Sequence, residues 1–252
     1  MSISWFVHFL SIDSARLTDY AASGWQFEAE TGKCVHVPYS ARIPEVARVC
    51  AWPVLETNAM ILFYYGGPDR LDPEWLPLSV DGINQHRFST HGYSEHRVRA
   101  HIQEMPENGA DVAHLKFLHI PFVIESLPGF NHQWDADWQP GDGDQRHFAF
   151  IDLKQSITFM GHRIPGTFVP VTINQMGPGL VYLHLTTALG TVVVFETVTP
   201  IGPLLQKATH QIWTQRTVPR FVAKLMLSAF LVQFEVGLLC FRFASDSDGF
   251  GV

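Results

Sequence analysis

Residues 180–198, Leu-Val-Tyr-Leu-His-Leu-Thr-Thr-Ala-Leu-Gly-Thr-Val-Val-Val-Phe-Glu-Thr-Val, decide the fold. Two runs rich in β-branched and aromatic residues are split by Ala188-Leu189-Gly190, which reads as a hairpin. Working outward, residues 146–153, 156–160 and 167–175 have the same composition, and Gly177-Pro178-Gly179 supplies a turn before residue 180. The chain therefore reads as strands from 134 to 198. Toward the N-terminus, residues 25–27, 34–37, 48–52 and 60–65 are short β-like runs punctuated by Gly and Pro, part of a small antiparallel sheet. Residues 66–77 carry turn chemistry and mark a boundary. Short runs at 87–89 and 97–100 then lead to a helix expected to begin near Pro106. Residues 204–235 show helical spacing with a break at Pro219. The sum predicts an α+β fold, a long antiparallel sheet flanked by helices.

Composition narrows the function. Of 252 residues, 46% are apolar and 16% charged, which excludes a disordered chain. The formal charge of −7 argues against a nucleic-acid partner. Cys34, Cys50 and Cys240 are too few for a disulfide scaffold and suit a reducing compartment. Residues 1–10 are apolar but lack a basic leader and a cleavage site, so a signal peptide is not expected. The longest apolar stretch, 221–243, is broken by Lys224, Gln233, Glu235 and Arg242. It reads as a buried amphipathic helix rather than a membrane span, with interfacial attachment the alternative. Residues 244–252 read as a disordered tail.

Thirteen histidines direct attention to metal chemistry. The informative segment is Pro106-Glu-Asn-Gly-Ala-Asp-Val-Ala-His-Leu-Lys-Phe-Leu-His-Ile-Pro121. Pro106 suits a first helical turn, and Glu107 suits its positive end. Helical steps put Glu107, Asp111, His114 and Leu118 on one face. His114 and His119 are about 140° apart on a regular helix. Pro121 disfavours helix at Ile120, so a loosened last turn would let both imidazoles converge. Two neutral imidazoles and a carboxylate from elsewhere form a facial triad with positions open for dioxygen on Fe(II). Asp111 is placed to hold a ligand imidazole in its tautomer. Asn108, before the ligands, is a candidate near the substrate or a helix-start hydrogen bonder. His184, among alternating apolar positions, is a candidate pocket residue. His96, His101, His132 and His147 read as structural or surface residues. Asp142 and Asp144 read as a solvated turn, and Asp135 and Asp137 either as paired carboxylates or as an exposed strand or turn face. No phosphate-binding glycine loop or nucleophile motif is present.

The string Glu107-x3-Asp111-x2-His114-x4-His119 resembles the iron motif of Rieske-type non-haem iron oxygenases. Residues 107–114 resemble in particular the cholesterol 7-desaturases of the Neverland type. Gly24-Trp25, Gly32-Lys33-Cys34, Ile43-Pro44-Glu45, Trp52-Pro53-Val54 and the stretch 204–234 agree. The resemblance covers roughly residues 24–235. It implies a sterol-binding, helix-grip-like catalytic domain at 81–235 preceded by a partial Rieske-type β domain at 24–80. Segments 1–23 and 236–252 diverge from it. It also implies His114 and His119 as iron ligands and Asp111 as the bridge for electrons from a neighbouring subunit's cluster. The implied reaction removes hydrogens at C7 and C8 of cholesterol with dioxygen, giving 7-dehydrocholesterol. Electrons would come from NAD(P)H through a separate reductase, in a homotrimer associated with the endoplasmic reticulum membrane.

Two departures accompany the resemblance. A Rieske [2Fe–2S] cluster needs Cys-x-His and Cys-x-x-His. Here Gly24-Trp25 follows Tyr20-Ala21-Ala22-Ser23, Cys34-Val35-His36 falls on the wrong side of it, and Cys50 lacks a following histidine, so the cluster ligands are absent. The family's third iron ligand, an Asp, is replaced by Gly237, leaving Glu235 as substitute, with Asp246 or Asp248 folding back as the other options. Divergence at both ends points to an alternatively spliced product or a truncated gene model. The second function class is a non-catalytic carrier of a hydrophobic ligand in the same domain. A zinc hydrolase is the third, weakened by the lack of His at i, i+4 with an adjacent Glu.

Overall fold

The computed structural model describes residues 4–7, 17–20, 24–28, 30–67, 72–113 and 128–224. In chain order the first strands are β1 (Ser4–Val7), β2 (Leu17–Tyr20), β3 (Trp25–Glu28), β4 (Cys34–His36), β5 (Val54–Thr57) and β6 (Met60–Tyr65). Helix α1 (Asp81–Asn84), β7 (Phe88–Val98) and α2 (Glu104–Ala110) follow. The remainder is β8 (Phe130–Pro140), β9 (Phe148–Phe159), β10 (His162–Arg163), β11 (Val169–Met176), β12 (Leu180–Thr187), β13 (Gly190–Gly202) and β14 (Leu205–Gln215).

The main sheet runs β10-β9-β11-β12-β13-β14-β7, with β8 paired to β9, and every described pairing in it is antiparallel. Two small sheets, β2-β3-β4 and β1-β6-β5, come from the N-terminal third. The expected hairpin at 180–198 is β12–β13, with Tyr182 opposite Phe195 and Leu183 opposite Val194.

Alternation along the strands gives the main sheet two differently covered faces. On one, Met176, Leu180, Tyr182, Val193 and Phe195 pack against Met60, Leu62 and Tyr64 of β6 and Ile83 of α1. This is the hairpin face. On the other, Val98, Val198 and Ala208 pack with Met105 of α2, and Val192, Val194 and Ile212 pack with Val218 and Ala223. This is the α2 face.

Asn58 locks the hairpin to the sheet. It turns β5 into β6 at φ 55°, a left-handed conformation that Asn tolerates better than most residues. Fully buried, it donates through Nδ2 to the carbonyl of Leu78 at 2.8 Å, and its Oδ1 accepts from the Val80 amide at 2.7 Å.

Several expectations are corrected. Residues 205–215 form strand β14, not a helix. Gln206, Ala208, His210, Ile212 and Thr214 are all buried at period two, and the strand pairs with β13 and β7 on its two edges. Polar residues at inward positions had hidden that period from a hydrophobic pattern. A helix begins only after Pro219, at residues 220–224. Residues 48–52 make no strand and hold only an isolated bridge from Arg48 to Lys33. The runs at 146–153 and 156–160 merge into β9, and those at 87–89 and 97–100 belong largely to β7. That strand tolerates a register shift opposite Gln211 and Trp213 next to Gly92, whose φ of +112° suits glycine. The fold is thus mostly antiparallel sheet with few described helices. Among the described residues no helix is long and apolar enough to cross a membrane.

Candidate metal centre and substrate face

Helix α2 starts at Glu104 and ends at Ala110, earlier at both ends than the sequence predicts. Pro106 falls in its first turn, where a missing N–H costs nothing. Gln103 Nε2 donates to Glu107 Oε1 at 2.8 Å across one turn, and the Asp111 amide donates to the Glu107 carbonyl at 3.0 Å. Asp111 then leaves the helical region at ψ 72°. Gly109 is the weak point, since glycine disfavours a helix interior. The described part of the expected helical face, Glu107 and Asp111, therefore ends where the chain leaves the helix at Asp111. His114, His119 and Glu235 lie outside the described residues, as do Asp246 and Asp248. Asp111 is exposed and Asn108 half-buried.

The end of α2 presses onto the sheet. A Cβ on Gly109 would stand 3.2 Å from Oε1 of Gln175, a buried residue of β11. Gln175 heads a row that register carries across the α2 face: Gln175 opposite Val181, Val181 opposite Glu196, Glu196 opposite His210, His210 opposite Ser94. The Glu196 carboxylate lies 3.7 Å from Nε2 of His210, whose side chain is fully buried. The His96 ring meets the His210 ring edge-on, with centroids 5.9 Å apart. Ser94 Oγ is buried without a hydrogen-bond partner among the described residues.

The sequence reading missed Gln175, Glu196 and His210. For Glu196 a signal existed, because it breaks the inward series Val192, Val194, Val198 at a period-two position. For His210 none did while its segment read as a helix.

His184 belongs elsewhere. It shares the hairpin face with Val193 and Phe195, and the sheet separates it from α2. It lines a pocket of about 420 Å³ with Arg87, Phe88, Gln215 and Arg216. Burial there lowers its pKa, so the imidazole is neutral at pH 7. Asp135 and Asp137 are exposed on β8, as expected.

Cys34 and Cys50 do not fit a [2Fe–2S] cluster, which takes two thiolates and two imidazoles. Cys34 is buried and its thiol donates to the His36 carbonyl at 3.5 Å, whereas Cys50 is exposed. Among the described residues no three His, Cys, Asp or Glu side chains gather for a metal.

The mostly antiparallel sheet with few described helices is similar to the catalytic domains of Rieske oxygenases. Dicamba monooxygenase bound to 3,6-dichlorosalicylic acid superposes with a TM-score of 0.62 at 15% identity, covering 94% of this chain and 74% of that one. A family model, the 3-ketosteroid 9α-hydroxylase C-terminal domain, matches residues 64–237, and the chain belongs to that family of Rieske-type oxygenases. Within it, the chain is 39% identical over 227 residues to the cholesterol 7-desaturase of Caenorhabditis elegans, covering 84% of this chain and 52% of the relative. It is 37% identical over 223 residues to that of Xenopus laevis, covering 84% and 49%. The chain spans about half the length of these curated relatives.

Proposed function

We propose that this chain is the catalytic portion of a sterol desaturase that removes hydrogens at C7 and C8 of cholesterol. The observation that supports it is the identity with cholesterol 7-desaturases over most of the chain. The α2 face, whose apolar rows of Val192, Val194, Val198 and Ile212 are interrupted by polar residues, suits a flat hydrocarbon substrate carrying one polar group.

The donor chemistry fits ferrous iron. His114 and His119 would supply two imidazoles and Glu235 a carboxylate, the set that leaves positions open for dioxygen. When bound, that metal would supply dioxygen activation. The chain's own residues do the rest. Asp111 accepts the N–H of a ligand imidazole and fixes its tautomer. Asn108, half-buried on α2, faces the substrate end of the same helix. The sheet excludes water and holds one C–H edge of the sterol toward the metal.

In this reading residues 81–235 form a helix-grip-like domain, residues 24–80 a partial Rieske-type β domain, and 1–23 and 236–252 divergent segments. Electrons reach it from NAD(P)H through a separate reductase and a Rieske-type cluster, in a homotrimer at the endoplasmic reticulum membrane.

The test is to load the chain with ferrous iron and supply reductase, cholesterol and a cluster-bearing Rieske protein. The expected result is 7-dehydrocholesterol only when the cluster-bearing protein is present. No product with every component present would overturn the reading. Metal-free protein that still binds sterol would instead indicate a carrier.

A further inference from the structure

Glu196, His210, Ser94 and His96 form a polar island on an apolar surface. They come from three adjacent strands, β13, β14 and β7. The next inward positions on either side are apolar: Val194 and Ile212 along one row, Val198 and Ala208 along the other, all buried. Polar and charged groups placed in such surroundings are costly, and an apolar pair of similar volume is commonly as stable or more so. Packing therefore does not account for the island.

Its chemistry is specific. Glu196 offers carboxylate lone pairs and its side chain keeps 20% exposure, so it opens onto space above the sheet. His210 behind it is fully buried, with Nε2 3.7 Å from the carboxylate. Ser94 Oγ, buried and without a hydrogen-bond partner among the described residues, adds a donor. The Glu196 carboxylate is an acceptor for a hydroxyl donor, and Ser94 lies one strand further on, beyond His210. The island shares its row with Gln175 beneath the end of α2, two strands away, about 10 Å at ordinary strand spacing. A fused-ring alcohol spans that gap.

We infer that Glu196, beside His210, is the specificity-determining residue that binds the single hydroxyl of a sterol and so sets which carbon edge faces α2. This rests on the sterol reading above. The hydroxyl donates to a Glu196 oxygen.

Equilibrium binding of radiolabelled cholesterol and of cholest-5-ene, the same skeleton without the hydroxyl, tests it on the whole chain. The wild type is expected to prefer cholesterol by roughly tenfold or more. Glu196→Leu is expected to lower cholesterol affinity to that of cholest-5-ene while leaving cholest-5-ene binding unchanged, which also reports that the variant folds. Glu196→Gln, which keeps the volume and one acceptor, is expected to fall between. If Glu196→Leu loses both ligands, Glu196→Gln decides, and a wild-type preference in it overturns the inference. A preference that survives Glu196→Leu, or wild-type binding of both sterols without discrimination, overturns the inference alone. Failure of the wild type to bind either sterol overturns the sterol reading, and this inference with it.

Discussion

The side-chain amide of Asn58 donates to the hydroxyl of Tyr182 at 3.3 Å in the core between hairpin and sheet. Both side chains are fully buried, and the contact joins residues 124 positions apart. Asn58 Oδ1 also accepts from the Val80 amide, its Nδ2 donates to the Leu78 carbonyl, and its backbone N–H donates to Asn84 Oδ1. One polar residue thus fixes how β5–β6 and α1 sit on β12.

Replacing Asn58 by alanine is expected to destabilise the protein by about 3 kcal/mol. It leaves the buried Val80 amide without its acceptor and forces a left-handed φ on alanine. Asn58→Gly should recover the backbone part only. Urea unfolding with an unchanged slope checks both, and a loss below 1 kcal/mol for alanine would refute the assignment.

Tyr182 predicts alkaline sensitivity. Burial pushes its pKa up to about 12, against the ordinary 10. A raised folded value means its contribution is complete below pH 10 and is lost as pH climbs toward 12, about 3 kcal/mol in all. Tyr182→Phe should flatten that part of the stability curve, read by denaturant melts at successive pH values.

His184 predicts an acid limb. Burial lowers its pKa, so the stabilising neutral form is fully present above pH 6.5 and lost as pH falls below it. His184→Leu should weaken that acid dependence without affecting iron content, because the sheet separates it from α2. Thermal melts from pH 7.5 to 5 read the first effect and metal analysis the second.

The metal reading predicts that His114→Ala and His119→Ala each abolish near-stoichiometric ferrous iron. Asp111→Asn is expected to keep the iron but weaken it roughly tenfold or more, through loss of the tautomer-fixing carboxylate. Elemental analysis after dialysis checks the series, and full iron retention in either histidine variant would remove that ligand.

Much of the fold was legible. Strands such as 180–187 and 190–198 alternate or run apolar between Gly-rich turns, and both formed as expected. Two of the errors have separate causes. In β14 the inward positions hold Gln206, His210 and Thr214, so hydrophobic periodicity weakened where the face turned polar. Helix α2 was recognised but drawn too long, because Gly109 counted for less in the pattern than it does in the backbone.

By itself, then, the sequence determined an antiparallel α+β domain and the string of Glu107, Asp111, His114 and His119, because strand alternation and motif spacing are local. Only tertiary structure decided that Gln175, Glu196, His210 and Ser94 share one row while His184 faces the other way. That row is made by register between strands far apart in the chain, and a one-residue slip would have turned each side chain to the opposite face.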